Sequence, residues 1–414
     1  MRVSTHERAH SPPPKADQPR AGDATRAETR SRGPMSMTVL YLETGSGYGG
    51  SSQSLAGLLS AIDRRQIRPI VVAYEEGSGI EKIRALGVPV IILGPPAARS
   101  SGYAALLWAW LTRELPRALQ LVRFIRRERV DLVHLNTDLY STVAGLWAAR
   151  WTHRPVVSHI RLTRPPTRLE RWLGRWVLVK VVLTEEARAF YQRWWPQDRV
   201  VCIANGVRVP DLADGAASSR AAFGIPPSRQ VVTLIARCVP GKGYREFLDA
   251  AQRVSRAAPE VTFLIVGNGA GGDAAYEADL RRWSESLGLN GQVIWAGWQA
   301  DPSPVYQASD IVVQASSTFP EGLSRVLMEA AAHGKPVIAT DLVGNRALVT
   351  HQQTGLLVRP GDAAQLAEAM LTLLNDPATA HAYGRQGRQR VAESFSLEAM
   401  ATQIMRLYQE LVGR

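Results

Sequence analysis

Val231-Val232-Thr233-Leu234-Ile235-Ala236-Arg237-Cys238-Val239-Pro240-Gly241-Lys242-Gly243 is an uncharged, largely β-branched run that breaks into a turn carrying an Arg and a Lys. A run of this kind reads as a strand buried on both faces of a parallel sheet. The Pro and the two Gly end it and lead toward a helix start. Arg237 and Lys242 therefore stand at a strand-to-helix turn, where the amides of a helix N-terminus and two cations together suit a diphosphate. Arg supplies a two-pronged fork and Lys a point charge. The turn is not a Walker loop, because no Ser or Thr follows the Lys and the upstream glycine spacing differs.

The same alternation runs through the chain in both directions. Thr38 to Glu43, Pro69 to Tyr74, Val88 to Leu93, Leu132 to Leu135, Pro155 to Ser158 and Val179 to Leu183 read as one set of strands, with helical stretches such as Ser51 to Ile62 and Glu81 to Leu86 between them. A loop rich in Asp, Ala, Gly and Pro spans residues 210–227. After it come Val231 to Ala236, Val261 to Val266, Val293 to Ala296, Ile311 to Gln314, Pro336 to Ala339 and Gly355 to Val358. The fold class is α/β, with two doubly wound parallel sheets facing each other. In such folds ligands bind at the carboxyl ends of the strands, here along a shared cleft with a hinge near Pro210 to Asp214.

Two carboxylates in the second half call for partners. Glu321 and Glu329 lie in Phe319-Pro320-Glu321-Gly322-Leu323-Ser324-Arg325-Val326-Leu327-Met328-Glu329-Ala330, and the surroundings of Glu329 are almost wholly apolar. A carboxylate there is costly to bury unless a cation or several hydroxyls meet it. The bland alternatives are a helix-dipole acid for Glu321 and a structural ion pair for Glu329. Acids for hydroxyls and bases for phosphate in one half-chain point instead to a sugar nucleotide.

Gly45-Ser46-Gly47-Tyr48-Gly49-Gly50 follows the first strand and matches the dinucleotide spacing G-x-G-x-x-G. A nicotinamide cofactor would also need a carboxylate after the second strand, for which Glu75 and Glu76 are the candidates. The other reading is a glycine turn whose amides face an anion without any nicotinamide.

Taken together, Arg237, Lys242-Gly243, Val266-Gly267-Asn268-Gly269, Ser309-Asp310, Glu321-Gly322, Glu329-Ala330 and Thr354-Gly355-Leu356-Leu357-Val358 resemble the retaining glycosyltransferases of family 4, which have the GT-B fold. The resemblance extends over Met37 to Val412. In the first half it rests on Tyr48-Gly49-Gly50, on His159 after its strand and on Asn205-Gly206-Val207. It implies an N-terminal acceptor domain over 37–212, a C-terminal sugar-nucleotide domain over 213–394, and a helix within 395–414 that crosses back to the first domain. It further implies that Arg237 and Lys242 hold the donor diphosphate and stabilise the leaving nucleotide. Gly49 and Gly50 would meet the same phosphates from the opposite domain. Glu329 would take the ribose hydroxyls, Glu321 the hydroxyls of the transferred sugar, and amides around Gly322 and Leu323 would assist. His159 would stand near the sugar's outer hydroxyl or the acceptor. The two cations would do the work of a divalent metal, so neither metal nor cofactor is expected. Ser324-Arg325 departs from the Gly or Pro common here, and the Glu-Gly-Leu-x-Arg form is similar to members that use UDP-linked sugars on lipid-linked acceptors.

Charge is unevenly spread. The net charge is +12, yet residues 1–213 carry 31 basic and 18 acidic side chains whereas residues 214–414 carry 18 and 19. Eight of the 11 tryptophans fall between 101 and 200, interleaved with Arg and Lys, as in Arg123-Phe124-Ile125-Arg126-Arg127. That composition suits an anionic membrane surface as a peripheral partner on the cytoplasmic side. An ordinary packed helix with a solvated basic face would read the same. Nucleic acid is not expected as a partner, since no RRM, KH or helix-turn-helix pattern accompanies the charge. No stretch reaches the roughly 18 apolar residues that span a bilayer. Residues 1–36, rich in Arg, Pro, Ser and Ala, read as a disordered tail with no secretory h-region, and Met35 or Met37 is an alternative start. Cys202 and Cys238 read as core thiols.

The function expected is transfer of a sugar from a nucleoside diphosphate donor to a lipid-linked or glycan acceptor. The alternatives are an NAD(P)-dependent oxidoreductase using the Gly45 to Gly50 loop, and a catalytically silent nucleotide- or glycan-binding protein of the same fold.

Overall fold

The computed structural model describes residues 36–44, 50–94, 108, 110–137, 139–212, 215–268, 273–318 and 322–413. Among them the first sheet has seven parallel strands: β1 (Met37–Glu43), β2 (Ile67–Ala73), β3 (Val90–Ile92), β4 (Leu132–Leu135), β5 (Val156–Ile160), β6 (Val179–Val182) and β7 (Arg199–Cys202), in the order β3-β2-β1-β4-β5-β6-β7. The second has six: β8 (Gln230–Ile235), β9 (Val261–Val266), β10 (Val293–Gly297), β11 (Ile311–Gln314), β12 (Val337–Thr340) and β13 (Gly355–Val358), ordered β10-β9-β8-β11-β12-β13. In each sheet the order reverses beside the first strand, and the crevice at that reversal is where doubly wound folds bind ligands. The fold class expected from the sequence is the one observed.

The strands are apolar because helices cover both faces. All six residues of β9 are buried, as are all four of β4, β6, β11 and β12. Strand β7, which the sequence pattern did not single out, is a short edge strand that opens on the exposed Arg199.

The helix Leu397–Val412 is built from the last residues of the chain yet packs on the first sheet. Its buried positions, Leu397, Met400, Ala401, Ile404, Leu407, Tyr408 and Leu411, follow a spacing of three and four, so one apolar stripe faces the core. That stripe joins Val39, Tyr41 and Leu55 of the first sheet and its first helix in one cluster. Ser396 caps the helix by accepting from the Ala399 amide at 3.2 Å. Just before the cap the chain is tied to the end of the first half. The Val207 amide donates to the Phe395 carbonyl at 2.9 Å, and the Leu397 amide donates to the Val207 carbonyl at 3.1 Å. Gly206 lies against this crossing so closely that a Cβ there would collide with the Ser396 carbonyl. Residues 213 and 214 of the expected hinge lie outside the described residues.

Truncating the centre of this stripe removes buried methylenes and leaves a void. Ile404, fully buried, is expected to cost about 2–5 kcal/mol when changed to Ala. Urea unfolding of Ile404→Ala against wild type measures it, and a change under about 1 kcal/mol would show that the helix does not hold the first core.

Candidate functional site

Between the carboxyl ends of the two sheets lies a cleft of about 780 Å³. The second half contributes Arg237 and Lys242 from the turn after β8, Gln314 and Ser316 after β11, and Gly322, Leu323, Arg325 and Glu329 from the segment leading into and along the helix Arg325–Ala332. The first half contributes Gly50 and Gln53 from the helix Gly50–Ala61, Lys82, and Arg161 beyond β5. Of the residues singled out in the sequence, Arg237, Lys242, Gly50, Gly322, Leu323 and Glu329 thus line one cavity. Gly49 and Glu321 lie outside the described residues.

The turn after β8 is shaped by Gly243, whose φ of 79° is left-handed. A Cβ there would collide with the Ala315 carbonyl, so this turn can press against the β11 loop only with glycine. Lys242 is thereby delivered beside the N-terminus of the 14-residue helix Tyr244–Ala257, whose dipole adds positive potential. The facing loop is fixed by buried amides and hydroxyls. Asn345 donates to Gln314 Oε1 at 2.7 Å, Gln314 donates to Ser316 Oγ at 2.7 Å, and Thr340 donates to the Ser316 carbonyl at 2.7 Å.

Glu329 has the cation its apolar neighbours required. Arg325 Nε lies 2.7 Å from Oε1, and the Tyr306 hydroxyl donates to Oε2 at 2.8 Å. An ionised carboxylate accepts about four hydrogen bonds, so these partners orient it and leave capacity for ligand hydroxyls at the cleft wall. Burial, then the neighbouring Glu329, pushes the Tyr306 phenol well above its ordinary value, and it remains a donor.

His159 requires a correction. It sits in β5 at 2% exposure, with its ring 5.7 Å from that of His134 and outside the cleft lining. Among the described residues neither of its ring nitrogens has a hydrogen-bond partner. His134 is held by the Tyr408 hydroxyl of the last helix. The residue that reaches the cleft is Arg161, two positions on. It donates from Nε to the Asn136 carbonyl at 2.8 Å, from Nη1 to Asn205 Oδ1 at 2.9 Å, and from Nη2 to Asn136 Oδ1. Asn136 in turn donates from Nδ2 to the buried Glu43, and Ser54 donates to Asn205 at 2.7 Å. Burial pulls the Arg161 guanidinium down to about 10, against the opposing pull of Glu43, and it stays charged at neutral pH. The sequence reading gave neither Arg161 nor Asn136. Their one signal is a polar residue directly after an apolar strand.

Glu76, a candidate for ribose in a nicotinamide site, is spent on the surface, where Arg84 grips both oxygens at 2.7 Å. Both cysteines are free thiols. Among the described residues no cluster of His, Cys, Asp or Glu has the grouping to hold a metal ion, and no helix is long and apolar enough to cross a membrane.

A family model of glycosyl transferase 4-like domains matches residues 49–206, and a model of glycosyl transferases group 1 matches residues 216–390. A D-inositol 3-phosphate glycosyltransferase of Rhodococcus erythropolis is 32% identical over 329 residues, 77% of this chain and 71% of that protein. The chain is a family 4 glycosyltransferase. A 2-deoxystreptamine glucosyltransferase of Streptomyces kanamyceticus is 28% identical over 343 residues, 77% of this chain and 86% of the relative. The crystal structure of Anabaena HepE in complex with UDP and glucose superposes with a TM-score of 0.76 at 24% identity, over 91% of this chain and 100% of that one. The GT-B architecture of this glycosyltransferase is thereby established, with its cleft between the two sheets.

The buried histidines give the enzyme an acid limit. Burial, then Arg161, lowers His134 to about 3, and burial, Arg161 and His134 hold His159 well below its ordinary value. In the unfolded chain both protonate near 6.5. As pH falls below 6.5 the unfolded state takes up protons that the folded state refuses, so stability drops toward the folded value. Each histidine contributes a slope of about 1.4 kcal/mol per pH unit. Urea unfolding at pH 7, 6 and 5 is expected to show this fall, and His159→Phe is expected to reduce the slope; an unchanged slope in that variant would rule His159 out as a source.

Proposed function

We propose that this glycosyltransferase moves a sugar from a nucleoside diphosphate donor, a UDP-sugar, to a lipid-linked or glycan acceptor with retention of anomeric configuration. The observation that carries the reading is the convergence of Arg237, Lys242, Gly50 and Glu329 on one cleft. Arg237 and Lys242 hold the donor diphosphate, with Gly49 and Gly50 meeting it from the opposite wall. Glu329, steadied by Arg325 and Tyr306, takes the ribose hydroxyls. Glu321 and the amides of Gly322 and Leu323 take the transferred sugar. As the glycosidic bond lengthens, charge grows on the diphosphate, and fixed cations beside a helix N-terminus stabilise it without reorganising. The sugar meanwhile gains oxocarbenium character. This arrangement asks for no divalent metal. The UDP and glucose of the HepE complex support a UDP-sugar donor, and the inositol phosphate of the Rhodococcus relative supports a polar, non-protein acceptor.

Release of UDP, GDP or ADP from the corresponding sugar nucleotides, with and without EDTA, tests this reading. Arg237→Ala and Lys242→Ala are each expected to lower turnover roughly 10²-fold. Glu329→Gln is expected to weaken donor binding by about 1–3 kcal/mol, and Glu321→Gln to lower turnover instead. Folded Arg237 and Lys242 variants within a few-fold of wild type would remove the diphosphate assignment, and no donor turnover at all would favour a silent binding protein.

We also propose peripheral attachment to the cytoplasmic face of an anionic membrane. Arg168, Arg171 and Arg175 surround Trp172 and Trp194, which are 44% and 36% exposed, and Arg171 stacks 5.4 Å from the Trp194 ring centre. Arg123, Arg126 and Arg127 are exposed on the helix Leu115–Arg127. Each such cation contributes about 1 kcal/mol near an anionic surface. Co-sedimentation with anionic but not neutral vesicles is expected, weakening with salt and on charge reversal of either trio. Failure to bind anionic vesicles at low salt would leave these cations to an acidic acceptor.

A further inference from the structure

The described residues lining the cleft bring six cations, Lys82, Arg161, Arg164, Arg237, Lys242 and Arg325, against two carboxylates, Glu170 and Glu329. Both acids are met locally, Glu170 by two guanidinium nitrogens of Arg164 and Glu329 by Arg325. Counting Glu321 as a third acid still leaves the balance positive. Arg237 and Lys242 are used by the donor diphosphate in the reading above, on which this inference rests. The excess therefore falls on the first-sheet wall, at Arg161 and Lys82.

The setting of Arg161 fits it to receive an anion. Three of its N–H groups are fixed by neutral amide oxygens of Asn136 and Asn205, and its nearest carboxylate, Glu43, is reached only through the Asn136 side chain. The charge is thus held rigid without being neutralised by direct contact, and two donors of the planar fork remain. Its backbone lies against the segment assigned above to the transferred sugar, since a Cβ on Gly322 would collide with the Arg161 carbonyl. Lys82 stands at the mouth of the same wall on the helix Ser78–Ala85 and donates to Gln53 at 3.1 Å. Asp301 feels its charge but does not line the cleft.

We propose that the acceptor carries an anionic group, a phosphate or a carboxylate, which Arg161 and Lys82 receive, while Asn136 and Glu43 are positioning residues for the guanidinium. The donor half of the site is first filled with UDP. The full chain is then titrated with glucose 6-phosphate, glucuronate and glucose at equal ionic strength, and binding is followed by calorimetry. One of the two anionic probes is expected to bind at least roughly tenfold more tightly than glucose, and which one does so distinguishes phosphate from carboxylate. Arg161→Gln and Lys82→Glu are expected to abolish that preference while UDP affinity stays within about twofold. Asn136→Ala is expected to lower the anion-to-glucose ratio with UDP affinity retained, a change that a purely structural role would not produce. Where Arg161→Gln does not fold, Lys82→Glu, at an exposed helix position, carries the test alone. Equal binding of glucose and the anions, no binding of either anion, or a preference that survives Lys82→Glu would overturn the proposal. Failure to bind UDP would instead overturn the donor reading on which it rests.

Discussion

The two backbone hydrogen bonds between Val207 and the Phe395–Leu397 segment decide how the halves of this enzyme meet. At this point the chain has just left the first sheet, and here it also returns to it. Gly206 allows the two passes to touch, and Ser396 starts the returning helix at once. Because the helix Leu397–Val412 is buried in the first core, the second sheet is tethered at both of its ends to the base of the first. The strand ends can then face one another only across the cleft. A second, looser clasp lies across the halves, where Arg346 reaches Glu186 at 3.2 Å; both side chains are exposed, so it adds little stability.

Most of the architecture was legible because burial on both faces leaves a parallel strand no choice but apolar residues. Strands β4, β9, β11 and β13 begin and end where the sequence pattern placed them, whereas β7 did not declare itself. A four-residue edge strand that starts with an exposed Arg lacks the central-strand signature. The second-half site was legible for a related reason. Arg237, Lys242 and Glu329 are charges set against apolar elements, and each stands out from its neighbours. The first-half wall was not legible, and His159 shows why. Near a strand end successive side chains point to opposite faces, and His159, Ile160 and Arg161 are equally close to the cleft in sequence. Packing decides among them: the His134 ring, itself against Tyr408, takes His159 into the core, and Arg161 is left for the cleft.

The two walls hold their charges in different ways. On the donor side Arg237 is exposed and Lys242 partly so, carried on a turn whose shape is set by Gly243 and the backbone of Ala315. Such groups stay open to solvent at the cleft while the turn that carries them keeps its shape. On the opposite wall Arg161, directly after β5, is fixed at three N–H groups by the carbonyl and side chain of Asn136 after β4 and by the side chain of Asn205 after β7. Moving it would break all three contacts, so it offers placement more than adaptability.

The fixed wall carries a desolvation cost. A guanidinium withdrawn from water is tolerated only when its donors are met and an opposite charge is near. Direct contact with Glu43 would meet both needs most simply and would also quench the charge. Interposing Asn136 satisfies donors on one side and an acceptor on the other, so the carboxylate still offsets the cost of burial from a distance. Part of the positive potential is then directed toward the cleft, where water exclusion by a bound substrate strengthens it. Ser51, which donates to Glu43 Oε1 at 3.0 Å from the helix that begins at Gly50, ties this arrangement to that helix. The wall that steadies Arg161 and the helix that opens at Gly50 therefore share one buried carboxylate.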